Sequence, residues 1–317
     1  MALNIVFLII GLIVLILGGD FLVKGSSSIA LRLKLSPLVV GLTIVAFGTS
    51  APELLISVKS ALAGSPDLAM GNIIGSNICN LALVLGITAI ISPIYVQKNS
   101  IKIDWPMTMG SSLLLYLIIR EGFVHSYEGI LFISILIVYL FFIIRKSRRD
   151  IKIAKNLEKE FDLPETTNTL LKDISYIALG SIGLYLGAEW FVGGAKEMAI
   201  QMGVEERVIG ITVLALGTSL PELVTSSVAS FKKETDLALG NLMGSNIFNI
   251  LSILGITSII KEIKVNDVIL KSDIIWMLGI TLIILPMMLS KRTLGRAEGV
   301  ILLMIYIFYT YTVVWPN

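Results

Sequence analysis

Cysteine and histidine are almost missing from this 317-residue chain, which has one of each, Cys79 and His125. A single thiol cannot close an intrachain disulfide. A single imidazole cannot build the His- or Cys-rich sites that zinc, copper or iron favour. Charge is scarce as well. Only 15 % of residues are Asp, Glu, Lys or Arg and the net charge is +2, so no nucleic-acid partner is expected. The longest polar stretch, 146–173, is too short for a domain and reads as a solvated linker with some helical character. Hydrophobic residues fill the rest, 55 % of the total. That composition belongs to a polytopic membrane protein, not to a soluble enzyme.

About 20 apolar residues cross a bilayer as a helix. On that basis ten spans are expected, near 3–23, 37–62, 67–92, 104–120, 126–144, 173–195, 207–230, 236–260, 273–290 and 298–315. The N-terminal apolar run lacks a basic leader, so a retained first span is expected in place of a cleaved signal. With the N-terminus outside, eighteen Lys and Arg fall in inner loops and seven in outer ones. The expectation is therefore a multi-pass cell-membrane protein with both termini extracellular and the 146–172 loop cytoplasmic.

Residues 18–92 align without a gap on 187–261 at a constant offset of 169, and 41–90 match 210–259 at 25 of 50 positions. Shared greasiness does not place polar residues at fixed positions, so this is a duplication. Five spans per half is an odd number, which sends the second half through the membrane in the opposite sense. The predicted architecture is all-α, ten transmembrane helices in two inverted-topology five-helix repeats, as expected of secondary transporters. The first repeat is 1–145, the linker 146–172 and the second repeat 173–317.

Each half carries a motif that a membrane helix should exclude, "GTSAPE" at 48–53 and "GTSLPE" at 217–222. Pro52 and Pro221 are expected to break the bonds to Gly48 and Gly217, freeing carbonyls around Ala46–Gly48 and their counterparts. Irregular backbone at that depth must line a cavity or be buried in protein. Glu53 and Glu222 follow the prolines, with no Lys or Arg at matching depth, so a bound cation is the economical partner. Thr49 and Ser50 share the helical face of Glu53, as Thr218 and Ser219 share that of Glu222. Ser76 and Asn80 stand four apart in the third span, and Ser245 and Asn249 in the eighth. Carboxylates, hydroxyls, amide oxygens and carbonyls suit Ca²⁺ and Na⁺.

"GNIIG" (71–75) and "GNLMG" (240–244) read as surfaces for close helix approach. Asp67 and Asp236 read as helix caps. Asp20 and Glu189 form a matched pair whose role, interfacial contact or ion entry, the residues leave open. Neither His125 nor Cys79 reads as functional.

"GTSAPE", "GTSLPE" and the two "GNxxGSNxxN" segments resemble the alpha-repeats of the sodium/calcium exchangers, within the cation/calcium antiporter superfamily; here the repeats are about 37–92 and 206–261. The resemblance implies ion sites midway through the membrane, formed by the second, third, seventh and eighth helices. It assigns carboxylate ligation to Glu53 and Glu222, and hydroxyl ligation to Thr49, Ser50, Thr218, Ser219, Ser76 and Ser245. It adds the carbonyls of Ala46 and Ala215, and places Asn80 and Asn249 around the centre. Asn249 stands where some relatives carry Asp, which leans toward potassium independence. The expected function is Na⁺-for-Ca²⁺ antiport by alternating access, electrogenic if more than two Na⁺ answer one Ca²⁺. Proton/calcium and potassium-dependent exchange are the alternatives. The expected partners are the two transported ions and the lipid bilayer, with no cofactor and one chain sufficing as a monomer. With no HExxH and no nucleophile paired with a base, an enzyme is not expected.

Overall fold

The computed structural model describes residues 2–157, 169–203 and 215–314. The first half runs through α1 (Ala2–Leu33), α2 (Pro37–Thr49), α3 (Ala51–Leu62) and α4 (Pro66–Ile91). A two-residue strand β1 (Ile94–Tyr95) follows, then a π-helical turn (Ser100–Asp104) that leads into α5 (Trp105–Ile119). Strand β2 (Phe123–Val124) and α6 (Ser126–Leu157) end the half. The second half repeats the order: α7 (Leu170–Gln201), α8 (Ala215–Thr218), α9 (Leu220–Phe231), α10 (Thr235–Ile260), β3 (Ile263–Lys264), α11 (Ile269–Leu289), β4 (Thr293–Leu294) and α12 (Arg296–Val314). The fold is overwhelmingly helical.

Seven of these helices, α1, α4, α6, α7, α10, α11 and α12, are long and apolar enough to cross a membrane, and α2 with α3 makes an eighth crossing if the bent pair counts as one. The expected fourth span corresponds to the 15-residue α5 with its leading π turn. The start of the expected seventh span, 207–214, lies outside the described residues, and α8 and α9 form its remainder. Layering follows burial. The most apolar windows of α4 and α10 are 78 % and 83 % buried, against 28 % for α1 and 11 % for α12. The polar motifs thus run through the centre of the molecule, and the all-round hydrophobic helices lie outside with Ile, Leu and Phe exposed.

Two small sheets tie the halves together. β1 pairs antiparallel with β4, with Ile94 opposite Leu294, and β2 pairs with β3, with Val124 opposite Ile263. The duplication carries Ile94 onto Ile263, and Leu294 is the counterpart of Val124. Each pairing therefore reproduces the other with the halves exchanged, the signature of two-fold contact.

The longest contact between the halves is a glycine seam. Gly11, Gly18 and Gly25 of α1, spaced by seven, face α7, whose Gly180, Gly187 and Gly194 are their counterparts at offset 169. A Cβ on Gly18 would meet the Leu184 nitrogen at 2.7 Å, and one on Gly187 the Leu15 nitrogen at 2.7 Å. Only hydrogen fits, so the two backbones touch. The sequence carries this signal plainly, as a heptad of glycines repeated in both halves.

Three local expectations change. Pro52 and Pro221 do not interrupt a helix; each sits in the first turn of a new one, where a missing N–H costs nothing. The break lies two residues earlier, at Ser50 (φ −88°, ψ 4°) and Ser219 (φ −93°, ψ 3°), and α2 and α3 meet at 46°. Asp67 and Asp236 are not caps. They stand within the first turns of α4 and α10, whose capping positions are Ser65 and Glu234. The expected fifth span does not end at 144: α6 continues without a break to Leu157. Of the linker, 158–168 lies outside the described residues.

Candidate ion-binding site

The two helix breaks put both acidic motifs at the centre. Glu53 and Glu222 occupy the first turns of α3 and α9, where the helix dipoles favour negative charge, and neither is exposed at all. They are near enough to interact electrostatically. Around them the halves interlock. Ser50 Oγ donates to Glu222 Oε1 at 3.0 Å, and Ser245 Oγ stands 3.5 Å from the same oxygen. The hydroxyls of Thr49 and Ser245 lie 3.5 Å apart, and those of Ser76 and Thr218 lie 3.4 Å apart. These two pairs are again one contact with the halves exchanged. Within each half, an asparagine braces the acidic turn. Asn72 donates to Ser57 Oγ at 3.0 Å and to the Glu53 carbonyl at 3.3 Å, and Asn241 donates to Ser226 Oγ at 2.9 Å.

Asn241 also accepts from Thr49 Oγ1 at 3.2 Å, coupling the brace of one half to the hydroxyl of the other. Asn72, Asn241, Ser57 and Ser226 were not singled out from the sequence, although all four lie at fixed offsets within the duplicated blocks. Asn249 is fully buried and donates to Asn77 Oδ1 at 3.0 Å, whereas Asn80, its counterpart, has no partner on either side-chain atom. The Ala46 carbonyl is not free as expected: it accepts from Ser50 N at 3.0 Å and from Thr49 Oγ1 at 3.3 Å. Ala215 opens α8, and the side chain of Ala215 lies outside the described residues.

What remains unpaired is informative. Both carboxylate oxygens of Glu53, Oε2 of Glu222, the Ser219 hydroxyl and the amide oxygens of Asn80 and Asn249 are buried without a hydrogen-bond partner. All six oxygens belong to the residues singled out from sequence. A buried carboxylate with nothing to answer its charge is destabilising by several kcal/mol. Five pure acceptors and one hydroxyl suit a hard cation, which needs oxygens and no sulfur or imidazole. Among the described residues no cluster of three His, Cys, Asp or Glu exists, so a site here must lean on neutral oxygens beside its two acids.

Outside this cluster, Asp20 makes an interfacial contact. It pairs with Lys24 at 2.7 Å within α1 and with Lys232 just beyond α9. His125 pairs with Glu262, bridging the β2 and β3 ends of the two halves, and Cys79 is a buried free thiol in α4.

Comparison with known proteins covers both halves of the chain. The family model described as "Sodium/calcium exchanger protein" matches residues 3–145 and 172–315. CaxA of Alkalimonas amylolytica is 39 % identical over 310 residues, covering 96 % of this chain and 97 % of its own. The sodium/calcium exchanger MaX1 of Methanosarcina acetivorans is 30 % identical, covering 96 % and 97 %. Among solved structures, the sodium-calcium exchanger NCX_Mj superposes with a TM-score of 0.84 at 31 % identity, over 98 % of this chain and 99 % of that one.

Proposed function

The chain belongs to the sodium/calcium exchanger protein family, a family of membrane antiporters, and from that premise we propose that it exchanges Na⁺ for Ca²⁺ by alternating access. The observation that carries this reading is the set of six buried, partnerless oxygens contributed by both halves. Ca²⁺ or several Na⁺ are the ions such a set receives. The ligands we assign are Glu53, Glu222, Thr49, Ser50, Thr218, Ser219, Ser76 and Ser245, with the carbonyl of Ala215 and the amides of Asn80 and Asn249 at the centre.

Two ionised carboxylates give the ion-free site a charge of −2, which is costly to carry through a low-dielectric barrier. One Ca²⁺ cancels it, and more than two Na⁺ overturn it. Only compensated sites then change sides, which makes obligatory exchange and suppresses leak. Each net charge moved feels about 2.3 kcal/mol per 100 mV, so excess Na⁺ entry lets membrane potential drive Ca²⁺ extrusion. Asn249, a neutral amide already engaged by Asn77, fits a site that does not need K⁺.

We read the topology as ten crossings in inverted repeats, 1–145 and 173–317, with both termini outside and 146–172 cytoplasmic. The sheets support it. In this arrangement the β1 and β4 loops both fall on the inner side, and the β2 and β3 loops on the outer side, so each sheet joins loops that share a face. Both halves of one chain complete the site, so a monomer suffices.

The deciding experiment is ⁴⁵Ca²⁺ uptake into proteoliposomes loaded with Na⁺, K⁺ or choline, with and without a valinomycin-set potential. Uptake that needs internal Na⁺, responds to voltage and disappears in Glu53→Gln or Glu222→Gln supports the proposal. Uptake indifferent to Na⁺ but driven by a pH gradient would replace the coupling ion with the proton.

A further inference from the structure

A second cluster of oxygens lies away from the central site. A cavity of about 110 Å³ opens between the start of α2, the segment following β1, and the far end of α6. Asp104 lines it. This residue is only 2 % exposed; its Oδ1 accepts from the Tyr139 hydroxyl at 3.2 Å, while its Oδ2 has no hydrogen-bond partner. Four residues earlier, on the same helical face, the hydroxyl of Ser100 is completely buried off the cavity wall and close enough to interact with the Asp104 carboxylate. Lys146, also on the cavity wall, gives a hydrogen bond to Asn99 Oδ1 at 3.0 Å, and no ion pair between it and Asp104 forms within 4 Å. Asp150 stands at the exposed rim.

The duplication supplies an internal control. Asp273 is the counterpart of Asp104, and Tyr309 donates to Asp273 as Tyr139 does to Asp104, at 3.4 Å. Ile269 stands where the first half has Ser100, and Asp273 is only half-buried where Asp104 is enclosed. The Asp–Tyr pair is thus common scaffolding, while the enclosed Asp oxygen and the serine hydroxyl belong to the first half alone. The Asp–Tyr pair does not itself require them, because the second half builds the same pair with Ile269 and a half-buried Asp273.

We propose that this cavity is a second cation site that takes a single sodium ion on Asp104 Oδ2, with Ser100 and the neighbouring oxygens completing its shell. With both carboxylates ionised, two carboxylates and one ammonium leave a local charge of −1, which one monovalent cation neutralises and a divalent ion overshoots. The oxygens are hard, and the cavity is large enough for a small ion that keeps part of its water. Its wall includes Ser36, the cap of α2, whose backbone N–H is held by Ser147 Oγ of α6 at 2.8 Å. An ion here fastens α6 to the foot of the helix whose other end carries Thr49. In the orientation proposed above this is the cytoplasmic side, so the ion sensed is internal sodium; the site itself does not depend on that orientation.

The test is equilibrium binding of ²²Na⁺ to purified full-length protein in which Glu53→Gln and Glu222→Gln have disabled the central site. About one saturable Na⁺ per chain is expected, weakened at least tenfold by adding Asp104→Asn or Ser100→Ala. No saturable binding, or binding indifferent to both substitutions, overturns the proposal. Displacement by Ca²⁺ at concentrations no higher than those of Na⁺ overturns its monovalent assignment. Ser100→Ala removes one oxygen and leaves the Asp–Tyr pair intact, so it carries the test if Asp104→Asn does not fold. Na⁺-dependent ⁴⁵Ca²⁺ uptake by the wild-type protein, set beside the binding result, distinguishes the two readings. Uptake without the second site defeats this inference alone, and the second site without uptake defeats the proposed function alone.

Discussion

Ser50 and Glu222 lie 172 positions apart in the chain and 3.0 Å apart in space, the hydroxyl of the first half donating to the carboxylate of the second. Their exchanged counterparts, Ser219 and Glu53, make no such bond: the Ser219 hydroxyl and both Glu53 oxygens are unpartnered. Two motifs of nearly identical sequence are therefore in different states in one molecule.

That asymmetry sets the ion-free stability of four variants. Glu53→Gln removes a buried charge that nothing answers and should stabilise the ion-free protein by about 1–2 kcal/mol. Ser219→Ala deletes an orphaned hydroxyl and should be neutral or slightly stabilising. Ser50→Ala strips Glu222 of its closer donor and should destabilise by about 1.5–3 kcal/mol, the worth of a hydrogen bond to a charged group. Glu222→Gln should fall between. Thermal unfolding in chelator-treated detergent solution measures all four, and equal effects of Ser50→Ala and Ser219→Ala would contradict the asymmetry.

Calcium should reverse the ranking. At one hundred times its dissociation constant, Ca²⁺ should raise wild-type stability by about 2.7 kcal/mol. It should leave Glu53→Gln and Glu222→Gln nearly unmoved. A full calcium shift in either variant would place the ion elsewhere.

Acid should oppose transport. Protons and cations compete for the same buried oxygens, and a protonated carboxylate is lost as a cation ligand, so binding Ca²⁺ releases protons. Apparent Ca²⁺ affinity should fall as pH falls, by up to about tenfold per pH unit for each proton displaced. Initial rates of ⁴⁵Ca²⁺ uptake between neutral and mildly acidic pH give the slope. Affinity that improves on acidification would remove the two glutamates from the site.

The glycine seam predicts opposite outcomes for one substitution on one helix. In Gly187→Ala the new methyl would meet backbone at 2.7 Å, whereas nothing among the described residues lies within 4 Å of a Cβ on Gly193. Helix propensity favours alanine in both by up to about 1 kcal/mol. Gly193→Ala should thus be neutral or stabilising. Gly187→Ala should lose about 1–3 kcal/mol by forcing α1 and α7 apart. Parallel melting curves of the two proteins decide it.

Topology is open to chemical labelling. Tyr95 and Phe123 are exposed residues of the two sheets, and the proposed inversion places them on opposite faces of the membrane. In a chain with Cys79→Ala, a membrane-impermeant thiol reagent should modify Phe123→Cys from outside and Tyr95→Cys only after the inner face is opened. The double variant Tyr95→Cys/Thr293→Cys should also form a disulfide, because directly opposed strand residues lie about 4.5–5.5 Å apart at Cα. Modification of both single variants from one side would refute the inverted arrangement.

Much of this protein was legible in its residues because duplication leaves polar identities at fixed offsets. Glu53 with Glu222, Ser76 with Ser245 and Asn80 with Asn249 could be paired on paper, and their oxygen chemistry pointed to a hard cation. The glycine heptads of α1 and α7 were equally legible in hindsight. The prolines misled, because a proline in an apolar run reads the same whether it breaks one helix or starts the next; only the backbone at Ser50 and Ser219 separates these cases.

The sequence by itself determined what is equivalent: two copies, their matched oxygens, the membrane as solvent. Tertiary structure alone decided what differs between the copies: which glutamate is held by a serine, which asparagine finds a partner, and which half encloses the aspartate of its Asp–Tyr pair. The physical reason is that each copy packs against the other and not against itself. Nearly identical segments thereby meet different surroundings, and those surroundings settle which hydrogen bonds close.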